Sequence, residues 1–202
     1  MLAFLMIVIS IYLVTKNKIV PSSIAFAASI LMKPQGIIFL PVLFYELVRQ
    51  KSVKKFIIAA VSAVVTAIII ILPFSISQGS PLWIFNLYKS TISEYPYGSV
   101  NAFNFFGLIG GNYNSSAAYN VIGFAFIVIT SLVSWLFYIK RDDVKFAPAV
   151  ALLQIAGVFT FSNGMHERYL FPQVFSVLNI ALTVFLVKVL YDNSFKKNQT
   201  LL

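Results

Sequence analysis

Seven apolar stretches follow one another along the chain, at residues 2–14, 19–32, 37–48, 56–74, 117–139, 146–161 and 171–191. Polar or turn-forming breaks separate them, and the charges are gathered in those breaks. Four breaks are basic: Lys16 and Lys18; Arg49, Lys51, Lys54 and Lys55; Lys140, Arg141 and Lys145; and Lys196 and Lys197. If the chain crosses a bilayer at each apolar stretch, all four fall on one side. Short loops rich in lysine and arginine remain in the cytoplasm, so that side is expected to be cytoplasmic. The long segment 75–116 and the segment around His166 then lie on the outer side of the cell membrane.

This alternation decides how the composition is read. Hydrophobic residues make up 59% of the chain and charged residues 10%, well below the ~25% of an ordinary soluble domain. A charge at the centre of a bilayer costs several kcal/mol, which accounts for the shortage. The net charge of +9 is spread over loops between apolar segments, so it orients the protein and does not point to nucleic acid. The expected fold class is all-α, a polytopic transmembrane bundle forming a single domain over 1–202.

Segments 56–74 and 117–139 are long enough to span ~30 Å of hydrocarbon at 1.5 Å per residue. Segments 19–32 and 37–48 are each too short, and Lys33-Pro34-Gln35-Gly36 divides them. Proline and glycine end one helix there and begin another. Such a break survives at membrane depth only where protein or a wet cavity covers its backbone. Segment 2–14 is short and has no polar flank before it, and it lacks the basic start and small-residue cleavage site of a signal peptide. The expectation is that it opens the C-terminal part of a longer protein or a truncated reading frame. In the long outer segment, Ser80-Pro81 resembles a helix start, with Ile84, Tyr88, Thr91 and Tyr95 following at helical spacing. Residues 81–95 are expected to form a helix that lies in the outer membrane interface or packs as a lid on the other helices.

Three polar clusters are candidates for chemistry. Lys33 and Gln35 stand at the break between the two short helices. The lysine either snorkels to the interface or offers a compact cation to an anionic headgroup, with Gln35 beside it. Asn101 and Asn104 lie among aromatics ahead of Gly107 and Gly110-Gly111-Asn112. Two amides so placed suit a sugar or a lipid-linked polar group, and turn-forming asparagines explain them equally well. The segment Met165-His166-Glu167-Arg168-Tyr169-Leu170-Phe171-Pro172 holds the one histidine beside an acid and an arginine. Histidine exchanges a proton near neutral pH and arginine grips phosphate with two donors. The bland alternative is a Glu–Arg pair capping the last helix. No metal site is evident, since acids are few and there is no second histidine.

Taken together and in order, Lys33-Pro34-Gln35 with Pro41, Asn101-Ala102-Phe103-Asn104, and the histidine segment resemble the C-terminal half of bacterial GT-C glycosyltransferases. The likeness is to the mannosyltransferase-like group related to the enzyme that adds the second mannose in GPI-anchor synthesis, and it covers the chain from about Ile19 onward. It implies transfer of a hexose, mannose by analogy, from a polyprenyl-phosphate sugar to a glycan or protein acceptor outside the cytoplasm. No cofactor is implied. Lys33, His166 and Arg168 would surround the lipid phosphate, with Gln35, Asn101, Asn104, Glu167 and Tyr169 supporting them or the substrate. The family's catalytic aspartate belongs to a first outer loop near the N-terminus of the full enzyme. Only Glu46, Glu94, Asp142, Asp143, Glu167 and Asp192 are acidic here, and none sits in such a loop. The chain is therefore expected to be inactive without an N-terminal half. The competing expectations are a transporter or lipid flippase segment, marked by polar groups at mid-membrane, and a non-catalytic partner subunit.

Overall fold

The computed structural model describes residues 2–76, 78, 80, 83–93 and 96–166. Segment 171–191, the basic pair Lys196 and Lys197, and Glu167, Arg168 and Tyr169 all lie outside the described residues. Within them the fold is all-α: α1 (Leu2–Thr15), α2 (Ile19–Met32), α3 (Leu40–Arg49), α4 (Val53–Ser75), α5 (Trp83–Ser93), α6 (Phe105–Leu108), α7 (Ala117–Arg141) and α8 (Ala147–Phe161). Two 3-10 segments, Pro34–Phe39 and Val144–Phe146, lead into α3 and α8. The only strands among the described residues are β1 (Ser99–Val100) and β2 (Met165–His166), which pair in parallel.

Three stretches are long and apolar enough to cross a membrane: Val53–Ser75, Ala117–Arg141 and Val144–Phe161. Helix α2 reaches only about 21 Å, which puts its end and the Lys33 break short of a full crossing. The break is resolved by a change of helix type. Lys33 is extended at φ −151°, Pro34 opens the 3-10 segment, and Pro41 sits in the first turn of α3. The segment and α3 together reach about 27 Å, so the pair does the work of one span. Gly36 permits this packing, because a Cβ there would stand 3.0 Å from Ser29 Oγ and 3.3 Å from Ile7 Cδ1.

Hydrogen bonds fix which helix ends meet. At one end, Gln50 Nε2 donates to the Val14 carbonyl, Lys55 Nζ to Gln50 Oε1, and the Tyr138 hydroxyl to Glu46. The close of α1, the α3–α4 turn and the close of α7 therefore gather the three described basic loops at a common end. Each of those turns uses one residue in the left-handed region, Asn17, Lys51 and Asp142. At the other end, Ser29 Oγ donates to the Ala3 carbonyl, Trp83 Nε1 to Ser75 Oγ, and Asn163 Nδ2 to Asn120 Oδ1. Among the described residues this end is polar without a basic cluster.

The core sits between α1, α2, α3, α7 and α8, around Phe26, Phe39, Val42, Tyr138, Val150 and Ile155. Helix α4 packs along α2 and has no buried residue. Its outward face, with Val61, Val64, Ile68 and Leu72 all exposed, is apolar enough to need hydrocarbon or further protein around it.

Candidate functional site

The polar end is built by the chain between α5 and α7 meeting the chain after α8. Helix α5 leans on the bundle: the Tyr88 hydroxyl donates to the Ile30 carbonyl at 3.1 Å, close to Lys33 in the chain. Burial pushes the Tyr88 phenol above its ordinary range, so it stays a neutral donor. The helix thus packs on the ends of α2 and α4, as a lid would. Pro81, Glu94 and Tyr95 lie outside the described residues.

From Tyr97 the backbone folds into a knot of short contacts. Gly164 N donates to the Tyr97 and Gly98 carbonyls at 3.0 and 3.1 Å, Gly98 N to Asn114, and Ser99 N to Gly111. The β1–β2 register then sets Ser99 beside Met165 and Val100 beside His166, and Asn101 bridges to His166. Two polar motifs 65 residues apart are joined here, as a shared strand edge forces them to be. His166 is 4% exposed, so this pairing holds its ring beneath the loop surface.

The two asparagines have different duties. Asn104 is buried and spent on the fold: its Oδ1 accepts from Gly107 N at 2.9 Å and caps α6, while Nδ2 donates to the Ser162 and Phe159 carbonyls. Gly107 is required opposite it, since a Cβ there would meet the Ala102 carbonyl oxygen at 2.6 Å. Asn101 is exposed, in the left-handed region at φ +53°, which asparagine tolerates. Its N–H donates to Asn112 Oδ1 at 2.7 Å, and its Nδ2 donates to the Tyr113 hydroxyl at 2.9 Å.

Sequence reasoning missed the rest of this surface. Tyr113 also takes a positive φ of +53°, an uncommon state for a bulky side chain, and its ring stands edge-on to Tyr97. The Asn120–Asn163 pair adds an exposed amide at the start of α7 and a partly buried one just past the end of α8. The Gly110-Gly111-Asn112 turn was the available signal for Asn112 and Tyr113; nothing local marks Asn120 or Asn163. Beside them Phe103 is 98% exposed and Leu108 also stands out, apolar tips flanking a floor of amides and phenols. Such a floor suits a hydroxyl-rich ligand next to a hydrophobic phase.

Lys33 is exposed at the junction of α2 and the 3-10 segment. Gln35 is partly buried, and its Oε1 is buried without a hydrogen-bond partner among the described residues. The 3-10 segment packs on α8, the helix that carries the His166 loop. Lys33 and Gln35 thus share the polar end with Asn101 and His166. An apolar cavity of about 460 Å³ lies elsewhere and is lined by none of these residues.

Sequence reasoning also passed over Glu46. It is 1% exposed and fully engaged, with Arg49 Nε and Nη2 at 2.8 and 2.7 Å, Gln50 Nε2 at 2.9 Å and the Tyr138 hydroxyl. Every lone pair has a donor, so this acid ties α3 to α7 at the basic end.

No protein-family model, no curated protein and no solved structure matches the chain.

Proposed function

We propose that the chain is the donor-binding part of a membrane glycosyltransferase, one that moves a hexose, mannose by analogy, from a polyprenyl-phosphate sugar to a glycan or protein acceptor on the extracytoplasmic side. The observation that carries this reading is the β1–β2 pairing, which joins the Asn101 turn to His166 at the end opposite the basic loops. Two of the motifs that resemble the GT-C family are thereby neighbours, and Lys33 stands at the same end. With the basic loops cytoplasmic, that end faces outward. The chemistry is coherent: a cationic and hydrogen-bonding shell from Lys33, His166 and Arg168 would hold the leaving lipid phosphate. Asn101, Asn112 and Tyr113 would face the sugar hydroxyls.

Equilibrium binding of a polyprenyl-phosphate hexose to the purified chain tests this without requiring turnover. His166→Ala and Arg168→Ala should each weaken binding roughly tenfold to a hundredfold, because a charge-assisted hydrogen bond is worth about 1.5–3 kcal/mol. Unchanged affinity in both would mean that the loop caps a helix and does not touch the donor.

A carrier segment is the second reading, and one observation favours it. Gln154 Oε1, Ser134 Oγ and Trp135 Nε1 are buried without partners among the described residues, well inside α7 and α8. Against it, the polar groups at that depth are uncharged. Gln154 also bonds Ser131 across the helix pair at 2.9 Å, an ordinary tie between membrane helices.

A further inference from the structure

A second site lies at the opposite end of the bundle. Helices α3 and α4 are joined by the tight turn at Gln50–Ser52, yet α4 packs along α2 while α3 packs on α7 and α8. The two diverge and leave a cleft of two chambers. The inner one, about 460 Å³, is enclosed by α2, α3 and α4, with Ser131 of α7 at its wall. The outer one, about 500 Å³, is lined by Lys51, Ser52 and Val53 at the turn. Phe44, Leu47 and Phe56 line both, so the chambers adjoin.

The lining decides the chemistry of an occupant. Inner-chamber hydroxyls are already committed: Ser22 Oγ donates to the Ser10 carbonyl, Ser23 Oγ to Ile19, and the Tyr45 hydroxyl to Ser131. What remains facing the space is hydrocarbon, so the chamber takes a chain and not a polar solute. Its volume falls in the ~300–1,000 Å³ range of small-molecule sites. Leu40, Phe44 and Phe56 at its edge are exposed, which opens it sideways to the lipid phase. The mouth is cationic. Lys51 lines it, Lys54 and Lys55 follow at the start of α4, and the one buried acid nearby, Glu46, is held by Arg49.

We propose that this cleft binds an anionic phospholipid from the leaflet that the basic end faces, with an acyl chain in the inner chamber and the phosphodiester at Lys51. The charge complementarity at the mouth and the predominantly apolar interior, its hydroxyls already committed, favour this occupant over a zwitterionic lipid or a second protein helix.

The test uses the full chain, delipidated in detergent and titrated with dioleoyl phosphatidylglycerol or dioleoyl phosphatidylcholine, with bound lipid read by native mass spectrometry. The glycerol lipid should bind at least about fivefold more tightly, since one lysine near an anionic surface contributes about that factor. Lys51→Asn should abolish the preference while leaving chain binding intact. Asparagine suits the left-handed turn position better than lysine, so loss of folding is not a competing explanation. Ala60→Phe, at an exposed position lining the inner chamber, should weaken both lipids about tenfold. Millimolar inorganic phosphate should displace neither. Equal binding of the two lipids, wild-type behaviour of either variant, or displacement by phosphate alone would overturn the proposal. So would a crosslink between two chains at residue 60, which would show that a second copy covers the cleft.

Discussion

Glu46 shows how much one residue carries that a linear reading passes over. In the sequence it is one acid of six, placed three residues before an arginine at a helix end, where a solvated pair is the ordinary reading. The structure buries it and adds a tyrosine 92 residues further on. That partner is a tertiary fact with no local signature. Removing a charge partner from a buried network leaves donors stranded, so Glu46→Ala should destabilise the purified protein by about 3 kcal/mol and Tyr138→Phe by about 1–2 kcal/mol. Thermal unfolding in detergent reads both, and a wild-type midpoint for Glu46→Ala would contradict the network. At the other end, Asn104 reads from sequence as a ligand for substrate, yet its amide is consumed by Gly107, Ser162 and Phe159. Asn101, three residues earlier, is the exposed member of the pair.

At the scale of elements the apolar stretches were legible and their edges less so. Residues 19–32 coincide with α2, and 117–139 stop two residues short of the end of α7. Helix α4 begins at Val53, earlier than expected, because Lys54 and Lys55 read as a loop although charges are comfortable on an exposed first turn. The 3-10 segments were hidden for a different reason: apolar content signals burial, not helix type, and only the packing of Gly36 on Ser29 shows why the chain tightens there. The α7–α8 hairpin depends on similar closeness. A Cβ at Gly157 would meet Thr130 Cγ2 at 2.4 Å. Gly157→Ala should therefore push the helices apart at a cost of about 1–3 kcal/mol, measurable as a lowered unfolding midpoint. A midpoint equal to or above wild type would show that the hairpin has slack there.

Over the whole molecule, the alternation of apolar stretches and basic breaks foretold that the ends would differ, and the hydrogen bonds place the three described basic loops together at one of them. The sequence named the Asn101 and His166 motifs separately. Their pairing through two residues of parallel strand was not legible, because strands that short leave no periodicity to read. The account therefore rests on a division of labour: a sugar-phosphate site at the polar end and a phospholipid cleft at the basic end. The most direct test is a polyprenyl-phosphate hexose carrying a photoreactive group on the sugar, irradiated with the purified chain and mapped by peptide mass spectrometry. The account predicts labelling within residues 97–113 and around His166, suppressed by excess unmodified donor. Suppressible labelling around Ser131, Ser134 and Gln154 instead would contradict it and make the chain a carrier segment.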